Sequence, residues 1–195
     1  QHEHTPEQEE EYLAVLKRQA FKLKKLTEDL VEASKASTGN IQLDRMDVDL
    51  ISLIKQVEME YEALFIQHDL TIRNTFSKEK IVLSLDPQKT FRILENLLVN
   101  AGKYALEHTR VYVYVEEREQ EVYISVKNIS ATELDFDPAD IMERFQRGDK
   151  ARNTEGSGLG LAIAKSFTVL QNGHMHISFD ADLFKVELIF QKELP

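Results

Sequence analysis

The chain has 195 residues, of which 42% are hydrophobic and 30% are charged, so it can form one ordinary domain with a smaller appendage and is not globally disordered. Its formal net charge of −10 repels nucleic acid and anionic membranes, so any bound anion must be held by a local group of donors. The absence of cysteine excludes disulfides and thiolate metal sites. No apolar run reaches the roughly 18 residues that a membrane-spanning helix requires.

The first 40 residues are predicted to form a helical arm. Thr5-Pro6 is typical of a helix start, and Gly39-Asn40 is typical of a helix end. The seam between them has the 3-4 spacing of helical bundles: Leu13, Leu16, Ala20, Leu23, Thr27, Leu30 and Ser34. A helix with a single apolar seam is not stable alone, so the arm requires partner helices.

Residues 41–195 are predicted to form one globular domain of the α+β class. Strand patterns occur at 41–48, 70–76, 81–85, 111–115, 122–126, 174–179 and 183–190, and helical patterns occur at 50–64, from Asp86-Pro87 onward, and at about 158–171. Residues 135–157 are polar and lack apolar periodicity. Strand pairs that look antiparallel and alternate with helices favour a two-layer α/β sandwich, preceded here by the long helix.

One predicted helix face carries side chains suited to a metal and phosphate. Asn96, Asn100 and Lys103 are spaced i, i+4 and i+7, so they share one face of the helix that begins near Pro87. Amide oxygens are hard ligands that suit Mg²⁺, and an ammonium group supplies positive charge to phosphate. Taken alone, the pattern also fits a polar stripe on a surface helix.

Three alternating glycines precede the last predicted helix, in the run Gly156-Ser157-Gly158-Leu159-Gly160. Glycine lets a ligand approach the backbone, and the N–H groups at a helix start bind phosphate. The run is not a P-loop, which requires Gly-x-x-x-x-Gly-Lys-Ser/Thr, and no strand precedes it as in a dinucleotide fingerprint. Taken alone, the glycines also fit a flexible loop ahead of a helix.

Together the two motifs resemble the N box and the second glycine box of histidine kinase ATP-binding domains, in a superfamily shared with gyrase, heat-shock chaperones and mismatch-repair ATPases. Residues 141–149 (IMERFQRGD) are similar to the F box of that family, and 26–30 (LTEDL) look like the second hairpin helix of sensor kinases. The combination ERF, RGD and GSGLGLAIAKS is typical of the kinase branch. The resemblance implies the fold named above, with ATP and Mg²⁺ as cofactors.

The resemblance also implies a role for each matching residue. Asn100 would ligate Mg²⁺ with Asn96 beside it, while Lys103 and Tyr104 would contact the phosphates and the nucleotide. Arginines on a lid would meet the terminal phosphates. The catalytic set implied in this way is Asn96, Asn100, Lys103 and Arg147. The nucleotide-binding set is Asn96, Asn100, Lys103, Tyr104, Asn128, Arg147, Arg152, Gly156, Ser157, Gly158, Leu159 and Gly160.

The first glycine box departs from the family pattern, which is Asp-x-Gly-x-Gly. The matching stretch here is Asn128-Ile129-Ser130-Ala131-Thr132. An amide oxygen can still accept a hydrogen bond from the adenine amino group, but without the charge of an aspartate. Two outcomes stay open: weaker or altered nucleotide affinity, or ordinary ATP use in a variant subfamily.

The phosphoacceptor histidine of the family precedes an acidic residue and then Thr-Pro on the first hairpin helix. His2-Glu3 and Thr5-Pro6 echo that order, but the spacing is one residue short and the Thr-Pro serves as a helix start. His4 lies in the same stretch and is the other candidate there. The remaining histidines fall near predicted helix ends or in a strand: His68, His108, His174 and His176. The phosphoacceptor helix is therefore expected to be missing, and this chain alone is not expected to phosphorylate itself.

These features predict the ATP-binding catalytic core of a sensor histidine kinase. The γ-phosphate would pass to a histidine of the missing helix and then to an aspartate of a response-regulator receiver domain. The expected partners are that receiver domain, the phosphoacceptor hairpin helix and a second copy bound through the arm, but not nucleic acid. The chain would be the cytoplasmic portion of a membrane-anchored receptor. The alternatives are a non-catalytic nucleotide-binding or dimerising module, and an ATPase of the chaperone or mismatch-repair type.

Overall fold

A computed structural model describes residues 42–134 and 159–192, together with 12–17, 19–21, 23–24, 27–28 and 31. The residues described between 12 and 31 are helical and form α1, and the predicted ends of this helix lie outside the described residues. Leu13, Leu16 and Leu23 of the predicted seam are exposed. None of the described helices combines the length and apolarity that a membrane crossing needs.

Strands and helices alternate through the rest of the described chain. In order they are β1 (Met46–Asp49), α2 (Leu50–Glu60), α3 (Glu62–Gln67), β2 (Thr71–Phe76), β3 (Val82–Leu85), α4 (Pro87–Tyr104), β4 (Arg110–Glu117), β5 (Glu121–Ile129), α5 (Gly160–Leu170), β6 (Gly173–Asp180) and β7 (Leu183–Gln191). One sheet has the order β2-β4-β5-β7-β6, and β1 pairs with β3 in a separate ribbon. The strand pairs are antiparallel except for β2 with β4.

Alternation along the strands gives the five-stranded sheet one apolar face. On β4, Val111, Val113 and Val115 are buried, whereas Tyr112 between them is 40% exposed. The buried valines belong to the same core cluster as Leu98 of α4 and the inward residues of α2 and α5. The helices therefore form a layer over that face, and the predicted two-layer α+β sandwich preceded by a helix is confirmed.

Three predicted features differ in detail. Strand β1 begins at Met46 rather than at 41, because its partner strand β3 ends at Leu85, the residue that pairs with Met46. The chain after Leu85 turns into α4 at Asp86. The helix predicted over 50–64 is two helices, since Tyr61 leaves helical geometry (φ −108°, ψ 13°) and its hydroxyl donates to Glu95 of α4. Strand β2 runs parallel to β4, a polarity that depends on the path of the chain between them and not on local alternation.

Helices α4 and α5 lie side by side and antiparallel. Asp86 caps α4 by accepting a backbone N–H of the first turn at 3.0 Å, and Pro87 follows, where a missing N–H is tolerated. Gln171 at the end of α5 contacts Asp86, while Gly160 at the start of α5 lies against Asn96 in the middle of α4. This packing brings the two motifs of the sequence together.

Candidate functional site

The two motifs meet where Asn96 faces Gly160. Asn96 Nδ2 donates to Arg92 O one turn earlier at 2.8 Å, which fixes the orientation of the amide. A Cβ at position 160 would lie 2.8 Å from Asn96 Oδ1, closer than real Cβ atoms approach such an atom. Glycine is therefore required for this close approach, and the amide oxygen of Asn96 borders the start of α5.

Asn100 and Lys103 continue the polar face of α4. Asn100 is half-buried and Lys103 is exposed, whereas Leu97, Leu98 and Ala101 of the same helix are buried in the core. The amides and the ammonium thus occupy the less buried side of the helix, as the i, i+4, i+7 spacing requires.

The stretch that follows β5 is fastened to the end of α4. Ala131 N donates to Tyr104 O at 2.9 Å, and Leu106 N donates to Ile129 O at 2.8 Å. Asn128, near the end of β5, is 3% exposed, and its Nδ2 donates to Ile129 O at 3.2 Å, so its Oδ1 is the atom that remains to accept a hydrogen bond. The structure therefore places the Asn128–Thr132 stretch beside Tyr104.

A buried charged group lies next to Asn96 on α4. The Glu95 carboxylate is 6% exposed and accepts from the Tyr61 hydroxyl and from Arg92 Nη1. Burial raises the pKa of Tyr61 above its ordinary value, and the hydrogen bond to Glu95 raises it further, so the phenol stays protonated as a donor. This network fixes the middle of α4 to the junction of α2 and α3, and the sequence analysis did not identify it.

The remaining predicted residues divide between the described and undescribed parts of the chain. Leu159 and Gly160 are described and half-buried at the start of α5. The following predicted residues lie outside the described residues: Arg147, Arg152, Gly156, Ser157 and Gly158. Within 42–134 and 159–192 and the described part of α1, no three His, Asp or Glu side chains gather as metal ligands.

Residues 85–192, which include α4, the end of β5 and α5, match the family of histidine kinase-, DNA gyrase B- and HSP90-like ATPases. The chain belongs to this family. Its curated relatives include sensor histidine kinases, and solved structures of histidine kinases share its fold.

Two curated relatives and one solved structure illustrate the similarity. The chain is 31% identical over 166 residues to sensor histidine kinase WalK of Bacillus subtilis strain 168, covering 83% of this chain and 27% of WalK. It is 28% identical over 186 residues to the sensor protein VanS of Enterococcus faecium, covering 93% and 48% respectively. Acinetobacter baumannii histidine kinase AdeS has the same fold, with a TM-score of 0.77 at 17% identity over 93% of this chain and 84% of AdeS. The chain thus spans about half or less of these curated relatives.

Proposed function

We propose that the chain binds Mg·ATP where α4, the end of β5 and the start of α5 meet, as the catalytic portion of a sensor histidine kinase. The contact between Asn96 and Gly160 carries this proposal, because it joins the two motifs that the resemblance assigns to phosphate. The first-turn N–H groups of a helix such as α5 lack partners within the helix and favour anions.

The donors available on α4 fit a magnesium–phosphate group. Asn100 offers a neutral amide oxygen on the less buried side of the helix and would ligate the ion, with Asn96 one turn before it. Lys103 would hold phosphate, and Tyr104 would border the nucleotide beside Ala131. When bound, magnesium neutralises the charge that develops on the transferring phosphoryl group.

The base and the terminal phosphates would be held by the other parts of the site. Asn128 Oδ1 would accept from the adenine amino group, since Nδ2 is already engaged with Ile129 O. A neutral acceptor makes a weaker bond than a carboxylate, so we expect modest affinity. By resemblance, Arg147 and Arg152 would meet the terminal phosphates, and Gly156, Ser157, Gly158 and Leu159 would approach them through the backbone.

The whole-protein role that we propose is phosphotransfer in a two-component system. The γ-phosphate would pass to a histidine on a separate hairpin helix and then to the receiver domain of a response regulator. Residues 1–40 would dimerise as the second hairpin helix and 41–195 would be the ATP-binding domain, forming the cytoplasmic part of a membrane-anchored receptor. The sensor kinase relatives support this role.

One observation favours a second candidate function. The stretch Asn128–Thr132 retains neither the aspartate nor the glycines of the first glycine box. A chain that had lost nucleotide affinity in this way would act as a non-catalytic regulatory or dimerising module. Saturable nucleotide binding separates the two candidates.

The test is a calorimetric titration of the whole chain with a non-hydrolysable ATP analogue and Mg²⁺. We expect saturable binding. Asn100→Ala should weaken it at least about ten-fold, because the amide oxygen proposed to ligate Mg²⁺ is lost. Asn74→Ala is the matched control, since Asn74 lies on β2 and donates to Glu58 of α2 at 2.9 Å.

Three results of this titration decide the proposal. Binding that Asn100→Ala weakens and Asn74→Ala leaves unchanged supports it. Absence of saturation at millimolar nucleotide favours the non-catalytic module. Saturable binding that Asn100→Ala does not change contradicts the metal role of Asn100.

A further inference from the structure

A buried polar junction joins α4 and α5 at the end opposite to the Asn96–Gly160 contact. Gln171 follows α5 and is 3% exposed, and its Oε1 accepts from Asp86 N at 2.7 Å and from Thr90 Oγ1 at 3.3 Å. Asp86 and Thr90 are also buried. One amide oxygen thus holds the first turn of α4 against the residue that follows α5.

The junction is incompletely satisfied. Gln171 Nε2 is buried, and no residue in the described part of the chain provides it with a hydrogen-bond partner. A buried donor without a partner is costly, and a polar network in that state is sensitive to the loss of one more bond. At this end the two helices are therefore joined by the hydrogen bonds of Gln171 in addition to their apolar packing.

A further bond to Asp86 comes from the segment that precedes β1. Asp86 Oδ1 caps Lys89 N, while its other oxygen, Oδ2, accepts from Asp44 N at 3.0 Å. Residues 42–45 have no regular secondary structure, and ladder pairing with β3 starts only at Met46. Arg45 Nη1 of the same segment donates to Ser84 O of β3 at 3.4 Å, so release would break this bond as well. Local release of a short segment without regular secondary structure requires less free energy than unfolding of the domain.

We propose that residues 42–45 regulate the nucleotide site through Asp86 and Gln171, with the attached state binding nucleotide more tightly. This inference rests on the proposed ATP binding. The segment lies between α1 and the domain in the chain, so a displacement of the arm would reach the nucleotide site by this route.

The route follows from the packing of two rigid helices. Asn96 lies ten residues after Asp86, about 15 Å along the axis of α4. On the antiparallel α5, Gly160 lies eleven residues before Gln171, which is a similar distance. Loss of the Asp44 bond relaxes one end of the pair and changes the fit between Asn96 and Gly160 at the other. Nucleotide that holds the start of α5 against α4 favours the attached state in return, because coupling between two sites is reciprocal.

The test removes the donor without touching Asp86. Asp44→Pro deletes the backbone N–H, whereas Asp44→Ala keeps it and makes the same change in charge. In titrations of the whole chain with Mg²⁺ and the ATP analogue, we expect Asp44→Ala to bind within about two-fold of wild type and Asp44→Pro to bind about five-fold more weakly or worse. Circular dichroism and thermal unfolding of both variants verify that each is folded.

Hydrogen exchange measures the reverse coupling in the same chain. Nucleotide is expected to slow amide exchange in residues 42–46 of wild type and of Asp44→Ala. Equal affinities of the Pro and Ala variants, or exchange unaffected by bound nucleotide, would overturn the inference while leaving the proposed function intact. Absence of nucleotide binding to wild type would overturn both.

Discussion

At position 160 the backbone of α5 comes so close to Asn96 Oδ1 that an added methyl group would displace the amide. The glycine motif indicates a ligand site because glycine lets a ligand approach the backbone, but Gly160 also lets a neighbouring side chain of the protein approach. The displaced atom is the end of a short polar side chain, so the fold can adapt. The orientation of Asn96, held by its bond to Arg92 O, cannot be kept at the same time.

We therefore expect Gly160→Ala to impair nucleotide binding much more than stability. The affinity for Mg²⁺ and the ATP analogue should fall by about ten-fold, since Asn96 loses its orientation. The free energy of unfolding should change by no more than about 1 kcal/mol, because alanine favours a helix more than glycine does. Ser166→Ala on the same helix is the control, and a Gly160→Ala variant with wild-type affinity would exclude the role given to Asn96.

Glu95 is the residue of this region that sequence reasoning missed. It lies between Leu94 and Asn96, where a carboxylate at the boundary of the two helix faces is easily read as solvated. The structure buries it with Arg92 and Tyr61, which come from α4 itself and from the α2–α3 junction. The only signal in the sequence is the i, i+3 spacing of Arg92 and Glu95, which is also common on exposed helices.

Among the elements, β4 is linked at its end to the residue after β7 and to the β2–β3 connection by the carboxylate of Glu117. Glu117 accepts from Lys192, which follows β7, at 2.8 Å, and also pairs with Lys78 in the β2–β3 connection. The hydrogen bonds from Lys192 and from Lys78 lower the pKa of Glu117 below its ordinary value of 4.5. The charged form of Glu117 is therefore favoured by folding.

This shift predicts a pH-dependent contribution to stability. Because the folded pKa is the lower one, the contribution is complete above pH 4.5 and is lost as the pH falls through the folded pKa. Glu117→Gln should reduce the free energy of unfolding at neutral pH, by less than about 1 kcal/mol because both lysines are partly exposed, and the difference from wild type should shrink at about pH 3.5.

Denaturant unfolding at the two pH values measures this difference. Glu119→Gln, in the turn between β4 and β5, makes the same change in charge and serves as the control. A Glu117→Gln effect that is equal at both pH values would contradict the ion-pair origin.

For the molecule as a whole, the proposed kinase function requires an acceptor histidine, and we expect that none of the six histidines of this chain serves as one. Incubated with Mg·ATP, the chain alone should acquire no acid-labile phosphate. It should phosphorylate a separately expressed dimerisation hairpin that carries an acceptor histidine, and a hairpin with that histidine replaced by glutamine is the control. Radiolabelled phosphate and mass spectrometry measure the transfer, and label on the chain itself would show that His2, His4 or another of its histidines is an acceptor.

Local pattern was sufficient for most of the secondary structure. Asp86-Pro87 marks the start of α4, and the alternating valines of β4 mark its buried face, because capping and period-two burial are properties of neighbouring residues. The predicted start of β1 at 41 was wrong, because the start depends on where β3 ends. The prediction of one unbroken helix over 50–64 was also wrong, because the break depends on Glu95, the hydrogen-bond partner of Tyr61. The polarity of β2 likewise depends on a distant strand.

The order of strand and helix patterns was enough to predict the two-layer class. Spacing within one element was enough to predict the helix face of Asn96, Asn100 and Lys103 and to find the glycine motif, because such spacing is a local property. The folded arrangement was needed to show that Gly160 lies against Asn96, that Tyr104 lies beside the stretch after β5, and that Asp44 and Gln171 meet at Asp86. Each of these contacts joins residues far apart in the chain, so it depends on how the elements pack in three dimensions and not on local spacing.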